Sequence, residues 1–162
     1  MTTPQEFYET VRDRSDKFFR DGHYPKGENH PMFIATLYTN DYILVIDAQG
    51  LMRDEGWTKD DVARAHQNSV NMKVGEHSVV ASIFVTEAWT KKCVDEPDLD
   101  ASIANDPEAG EAIVFALLTQ TYEALMICHI APDRKSIEKV PFRIAAPGDF
   151  LGRFAANRPT LH

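Results

Sequence analysis

Residues Ser78 to Trp89, SVVASIFVTEAW, constrain the fold of this chain more than any other stretch. Its uncharged middle, Val79 to Val85, is the most apolar, β-branched run in its half of the sequence, bounded by Gly75 on one side and Lys91-Lys92 on the other. Such a run is too short to cross a bilayer and has no alternating polar face, so it is expected to be a strand buried on both sides. It predicts the central strand of a sheet, and the remaining elements have to be arranged around it.

The chain is long enough to do this without staples. At 162 residues and 18.3 kDa it fits one domain, and a chain of this size buries roughly 70% of the surface its unfolded form exposes. The formal net charge of −8 argues against a groove that follows a phosphate backbone, which needs clustered Lys and Arg. Cys93 and Cys128 form no CxxC or metal-ligand spacing, as expected of free thiols in a reducing compartment. Residues 1–21 are polar and charged with no apolar core of a leader, and no stretch approaches a membrane span. These features predict a cytoplasmic protein that uses neither nucleic acid nor membrane.

Thr3-Pro4-Gln5-Glu6 is a helix start: a hydroxyl to cap, proline where its missing donor costs nothing, and a glutamate placed to reach back. The helix should run to about Arg20 and stop at Gly22, with Phe7, Val11 and Phe18 on one face, Tyr8 and Phe19 at its edges, and Arg12, Asp13, Asp16 and Lys17 outward. Met32 to Tyr38 and Tyr42 to Ala48 are β-rich runs separated by Thr39-Asn40-Asp41, predicting a hairpin followed by a turn at Gln49-Gly50. Thr58 with Asp61 repeats the capping signature and opens a second helix of about Lys59 to Met72, striped by Val62, His66 and Val70. Glu111 to Ile130 fits either one long helix or a second hairpin; Ile113-Val114-Phe115, Tyr122 and the polar break Thr119-Gln120-Thr121 favour the hairpin. Ser136 to Ile144 predicts a last strand, confined to an edge or bulge by Pro141, and residues 147–162 form a tail with Pro and Gly. The expected fold is a single α+β domain over residues 1–146, a five- to six-stranded mostly antiparallel sheet with two helices packed on one face.

Candidate chemistry is sparse. His23, Glu28 and His30 share one loop but match no standard zinc spacing. Glu87 ends the central strand, where ligands are often bound, and a metal-assisted hydrolase would need it to converge with His129 and with His66 or His77. His66 on an apolar helix stripe also fits a hydrogen-bonded core histidine, and Cys128 and His129, adjacent on a strand, point to opposite faces and cannot form a dyad. No Gly-rich phosphate loop, HExxH, GxSxG or CxxC occurs, so no cofactor is expected. From Cys93 to Asp133 there is no Lys or Arg, and Asp95, Glu96, Asp98, Asp100 and Asp106 make an acidic segment suited to a basic partner surface, while the EF-hand register from Asp98 fails at Ile103 and Ala109.

A strand ending in Glu-Ala-Trp at 87–89, then an acidic proline-containing loop and a strand pair, resembles uncharacterised small α+β proteins common in bacterial and phage genomes. The resemblance covers roughly residues 78–133. It implies a microbial or viral origin and a compact sheet with helices, and carries over no activity or functional residue. The sequence thus leads to a non-enzymatic interaction protein that binds a protein partner or itself, with a hydrolase and a structural component of a virion or larger assembly as alternatives.

Overall fold

The amino-terminal helix forms where its cap is written. In the computed structural model of the chain, which describes residues 1–25, 30–90 and 110–145, α1 (Pro4–Arg20) opens with the Thr3 hydroxyl accepting from the Glu6 amide at 3.2 Å and the Glu6 carboxylate accepting from the Thr3 amide at 3.1 Å. It ends at Asp21, and Gly22 takes φ of +80°, a conformation that only glycine adopts cheaply.

The hairpins follow. Strands β1 (Met32–Tyr38) and β2 (Ile43–Asp47) pair antiparallel, and α2 (Ala48–Asp54) and α3 (Lys59–Ser69) come next. A short β3 (Lys73–Val74) turns through Gly75 into β4 (His77–Thr90), the long apolar strand, and β5 (Gly110–Leu118) and β6 (Glu123–His129) form the second hairpin. The order is β2-β1-β4-β5-β6, antiparallel throughout, with β3 attached to β4. β4 is therefore central, and residues 111–130 are a hairpin rather than a helix.

Alternation along the strands divides the core. Ala35, Leu37, Ile83, Val85, Phe115 and Met126 pack under α1 through Phe7, Tyr8 and Phe19. Ile34, Phe84 and Ala116 point the other way and meet Ala48 of α2 and Val62 of α3. The single α+β domain and the six-stranded antiparallel sheet stand as expected, but the helices divide between the two faces instead of sharing one. The reason lies in β4 itself: Ala81, Ile83 and Val85 face one side and Phe84 the other, so the strand carries apolar side chains that need cover on both faces.

Three local expectations change. The Gln49-Gly50 turn is the first turn of α2, capped by Asp47, whose carboxylate accepts from the Gly50 amide at 3.1 Å. The predicted last strand is instead a segment with two isolated bridges, Ile144 with Ala124 of β6 and Ile137 with Ile130 just past the end of β6. The inward face of α1 is also rotated. Asp16 is buried and accepts from the Ile137 amide at 2.9 Å and from Arg20 at 2.5 Å, while Phe18 stays 36% exposed. Hydrophobic periodicity could not show that a distant segment would run beside the helix and donate an amide to it.

Tyr38, at the end of β1, is fully buried, and its hydroxyl has no hydrogen-bond partner among the described residues. A buried hydroxyl in that state costs about 1–3 kcal/mol. Tyr38→Phe is expected to leave the urea midpoint unchanged or raise it, by up to about 1 kcal/mol of stability; a loss larger than that would mean the hydroxyl is satisfied.

Candidate interaction site

The coverage of the sheet is uneven because α1 lies over β4 and β5. On that face Ala35 and Leu37 of β1 still pack under α1, and β2 lies beyond its cover. The register pairs Ala35 with Val45 and Leu37 with Ile43, so Ile43 and Val45 share the α1 face, yet they are 41% and 60% exposed. Together with Phe33 of β1 and with Val11 and Phe18 on the flank of α1, they line a trough of about 640 Å³. Arg14 and Arg53 stand along it. Tyr42, also exposed, lies at the start of β2 with its ring 6.1 Å from that of Tyr38.

β2 is also the outer strand of the sheet. The Tyr38 amide donates to the Tyr42 carbonyl at 2.9 Å, which sets the phase of the ladder: residues 42, 44 and 46 direct their backbone groups at β1. Ile43 and Val45 direct theirs outward, with no strand beyond them among the described residues. Edges of this kind are normally blunted by Lys, Pro or a bulge. The sequence of β2, ILVID, contains none of these, and the register irregularity in β1 falls against β4, not β2.

The far end of the trough is held by a charge cluster. β4 runs past β1, whose last partner is Thr86, so from Glu87 onward that edge of β4 faces His30 and Pro31. Glu87 and Glu111, diagonal neighbours on the β4–β5 ladder, both accept from Arg134. The guanidinium spans Glu87 through Nη1 at 2.6 Å and Nη2 at 3.2 Å, donates through Nε to the Tyr24 carbonyl at 3.0 Å, and lies over the Phe19 ring at 5.4 Å. His30 Nδ1 is 2.7 Å from Glu87 Oε2, and because an ionised carboxylate only accepts, Nδ1 carries the proton. Burial pushes the Glu87 carboxyl up, but the hydrogen bonds from Arg134 and His30 outweigh it and hold it below the ordinary carboxylate value. A cavity of about 570 Å³ beside the cluster is lined by Met32, Met52, Lys59, Thr86 and Glu87.

The arrangement separates the sequence candidates. Glu87 lies on the α1 face, held as a carboxylate by two donors. His66 lies on the opposite face, with Nε2 donating to the Ser82 carbonyl at 3.1 Å and its ring 5.8 Å from that of Phe84. His129, exposed on β6, alternates with buried Cys128 and so faces away from Glu87; it pairs with Ala112, opposite Ala88, which puts it about 20 Å along the sheet from Ser82 at roughly 3.3 Å per residue. Glu87, His129 and His66 are therefore not brought together. His77 is hydrogen-bonded to Thr39 at 3.1 Å.

His23 packs edge-on to Phe18 at 5.4 Å, and Glu28 lies outside the described residues. Among the described residues no three His, Cys, Asp or Glu side chains are placed to hold a metal. Asp95, Glu96, Asp98, Asp100 and Asp106 lie outside them as well, as do Cys93 and residues 146–162. Cys128 is packed in the core beside the Tyr8 hydroxyl at 3.6 Å, and burial raises its thiol above the ordinary value, as expected of an unreactive cysteine.

Two features escaped the sequence. Nothing in YILVIDA distinguishes a covered strand from an uncovered one, because exposure depends on where α1 comes to rest. Arg134 did leave a trace: it is the first cation after the Lys- and Arg-free stretch, and buried carboxylates at Glu87 and Glu111 have to find one.

Sheet order, helix placement and trough define an antiparallel α+β protein in which, among the described residues, no strand pairs with the outer edge of β2. The described helices include none long and apolar enough to cross a membrane. Comparison with family models, curated proteins and solved structures finds no match for this chain.

Proposed function

We propose that this protein is a non-enzymatic interaction module whose contact surface is the open edge of β2 and the trough beside it. The observation that carries this is the coincidence of an unguarded strand edge with exposed Ile43 and Val45 in the trough at its side. A strand added to β2 would gain main-chain hydrogen bonds from Ile43 and Val45, and its alternate side chains would enter the trough between β2 and Phe18, which is the economy of β-augmentation. Scattered apolar residues need no explanation on a protein surface, but a contiguous set beside an open edge is an aggregation hazard unless something covers it. The acidic residues Asp95, Glu96, Asp98, Asp100 and Asp106 would add long-range attraction for a basic partner, raising the rate of encounter more than the final affinity.

The test is a single substitution on the exposed side of β2. Val45→Lys places a charge in the trough without touching the buried core, so its thermal melt should match the wild type within about 0.5 kcal/mol. Chemical cross-linking in extract of the source cell should give one dominant product through β2 or Phe18, a second copy or another protein, reduced at least tenfold by Val45→Lys. An undiminished product would remove β2 as the contact surface. Charge reversal of Asp95, Glu96, Asp98 and Asp100 should slow association and flatten its salt dependence while leaving the cross-linked positions unchanged.

A further inference from the structure

We infer that the cavity beside Glu87 is a site for a primary ammonium group carried on an apolar stem. It lies apart from the β2 surface, since neither Ile43 nor Val45 lines it.

Charge along its wall does not balance. Glu87 and Glu111 are two carboxylates that share one guanidinium, that of Arg134. With the His30 ring neutral, one negative charge is left over, on side chains only 10% and 18% exposed. Glu111 meets Arg134 through Oε2, and its Oε1 has no partner among the described residues. A half-buried carboxylate oxygen in that state is an acceptor waiting for a donor.

Two further acceptors line the same cavity. Nδ1 of His30 carries the proton shared with Glu87, so Nε2 of the neutral ring accepts. The third is a backbone carbonyl. The Glu111 carbonyl accepts from the Ile130 amide, so Gly110, Ala112 and Val114 direct their backbone groups at β4, and their partners Thr90, Ala88 and Thr86 answer them. Glu87 therefore points its own backbone groups the other way, along the line of β1. There the register of Met32 with Thr86 brings Pro31 opposite Glu87, and proline has no N–H to give. Among the described residues the Glu87 carbonyl accepts only from the Thr86 hydroxyl, at 3.4 Å.

An alkylammonium has three N–H donors and no acceptor, so His30 Nε2, the Glu87 carbonyl and Glu111 Oε1 match it in number and in kind. Pro31, Met32, Met52 and Ala88 supply apolar lining for the stem, methionine being well suited to a flexible alkyl chain. The volume of about 570 Å³ falls within the usual range of small-ligand sites. Two cations share the cavity. Arg53 is already held by Asp54 through two N–H groups, at 3.0 and 3.1 Å. Lys59, exposed at the start of α3, opposes a second ammonium by like charge, so its removal should tighten binding. A lysine side chain of a basic protein and a free alkylamine both carry the required group.

Nuclear magnetic resonance titration of the isotope-labelled full chain with n-butylamine, at about pH 8 where such an amine is protonated as lysine is, tests this. The amides of Met32 and Ala88 should shift saturably. n-Butanol has the stem without the charge, and n-butyltrimethylammonium has the charge without an N–H; each should bind at least tenfold more weakly. Glu111→Gln removes the surplus charge while Glu87 still holds Arg134, and should weaken the amine at least tenfold. Lys59→Met lies on the surface outside the ion cluster and should tighten it severalfold. Carbodiimide coupling in extract of the source cell separates the two carriers: an amide from Glu111 to a lysine of another protein assigns the group to a partner, and an adduct with a small amine assigns it to a free ligand, either result supporting the site.

The absence of a saturable shift would overturn the proposal. Equal affinity for n-butanol would reduce the site to an apolar cleft, and equal affinity for the trimethylammonium would remove the three acceptors from it; both overturn the proposal. Weaker binding of the amine by Lys59→Met would reverse the sign of charge that the cavity selects and overturn it equally. The β2 surface is read separately, through the Val45→Lys cross-link, so either site can fail without the other.

Discussion

Arg134→Met is expected to cost about 3–5 kcal/mol of folding stability at neutral pH, the largest single effect among these substitutions. The guanidinium is 6% exposed and satisfies Glu87, Glu111 and the Tyr24 carbonyl at once. Its removal leaves two nearly buried carboxylates as diagonal neighbours on β4 and β5 with no cation between them. The sign can be checked by acidification: in the variant, one carboxyl should be pushed up and take a proton, so the deficit should shrink as pH falls below about 6. Urea unfolding at pH 7 and pH 5 measures both. Combining Arg134→Met with Glu87→Gln and Glu111→Gln should restore most of the loss, since the penalty belongs to stranded charge rather than to missing volume. A loss under about 1 kcal/mol would mean that water reaches the cluster freely and that it contributes little.

The second large effect is acid lability from His66. Burial lowers this imidazole from its ordinary 6.5 to about 4, against the smaller opposing influence of its hydrogen bond to the Ser82 carbonyl. The folded protein therefore holds a neutral ring while the unfolded chain takes up a proton as the solution drops below 6.5. Stability attached to this group is complete above that value and drains away between about 6.5 and 4, on the order of 3 kcal/mol at about 1.4 kcal/mol per pH unit. Glu87, whose carboxyl is lowered, loses its own contribution further down, as pH falls through a value under 4.5, so the two windows overlap little. His66→Gln should flatten the slope between pH 6.5 and 4.5 at some cost in stability at pH 7. A slope unchanged by that substitution would place the acid transition elsewhere.

The elements of this fold were legible wherever local chemistry decides structure. Thr3 with Glu6 and Thr58 with Asp61 form reciprocal caps at the positions their spacing predicts, and both hairpins fall where turn residues interrupt β-branched runs. Expectations failed where a distant segment decides. Asp16 was assigned to the solvent side of α1 because no local pattern announces the Ile137 amide, 121 residues away. Residues 136–144 have the composition of a strand but make only isolated bridges, to Ala124 and Ile130, since the same stretch supplies the Val140 carbonyl to the Tyr8 hydroxyl and the Ile137 amide to Asp16. The division of helices between two faces could have been read from β4, whose apolar positions are continuous rather than alternating. The exposed trough could not, because Ile43 and Val45 are left uncovered only when α1 settles over β4 and β5.

The pairing of Thr90 with Gly110 has a bearing on how this chain tolerates change. Both residues belong to the same ladder that Arg134 fastens through Glu87 and Glu111. An insertion of a single residue in β4 ahead of Glu87 would reverse the sidedness of every side chain beyond it and turn that carboxylate away from Arg134.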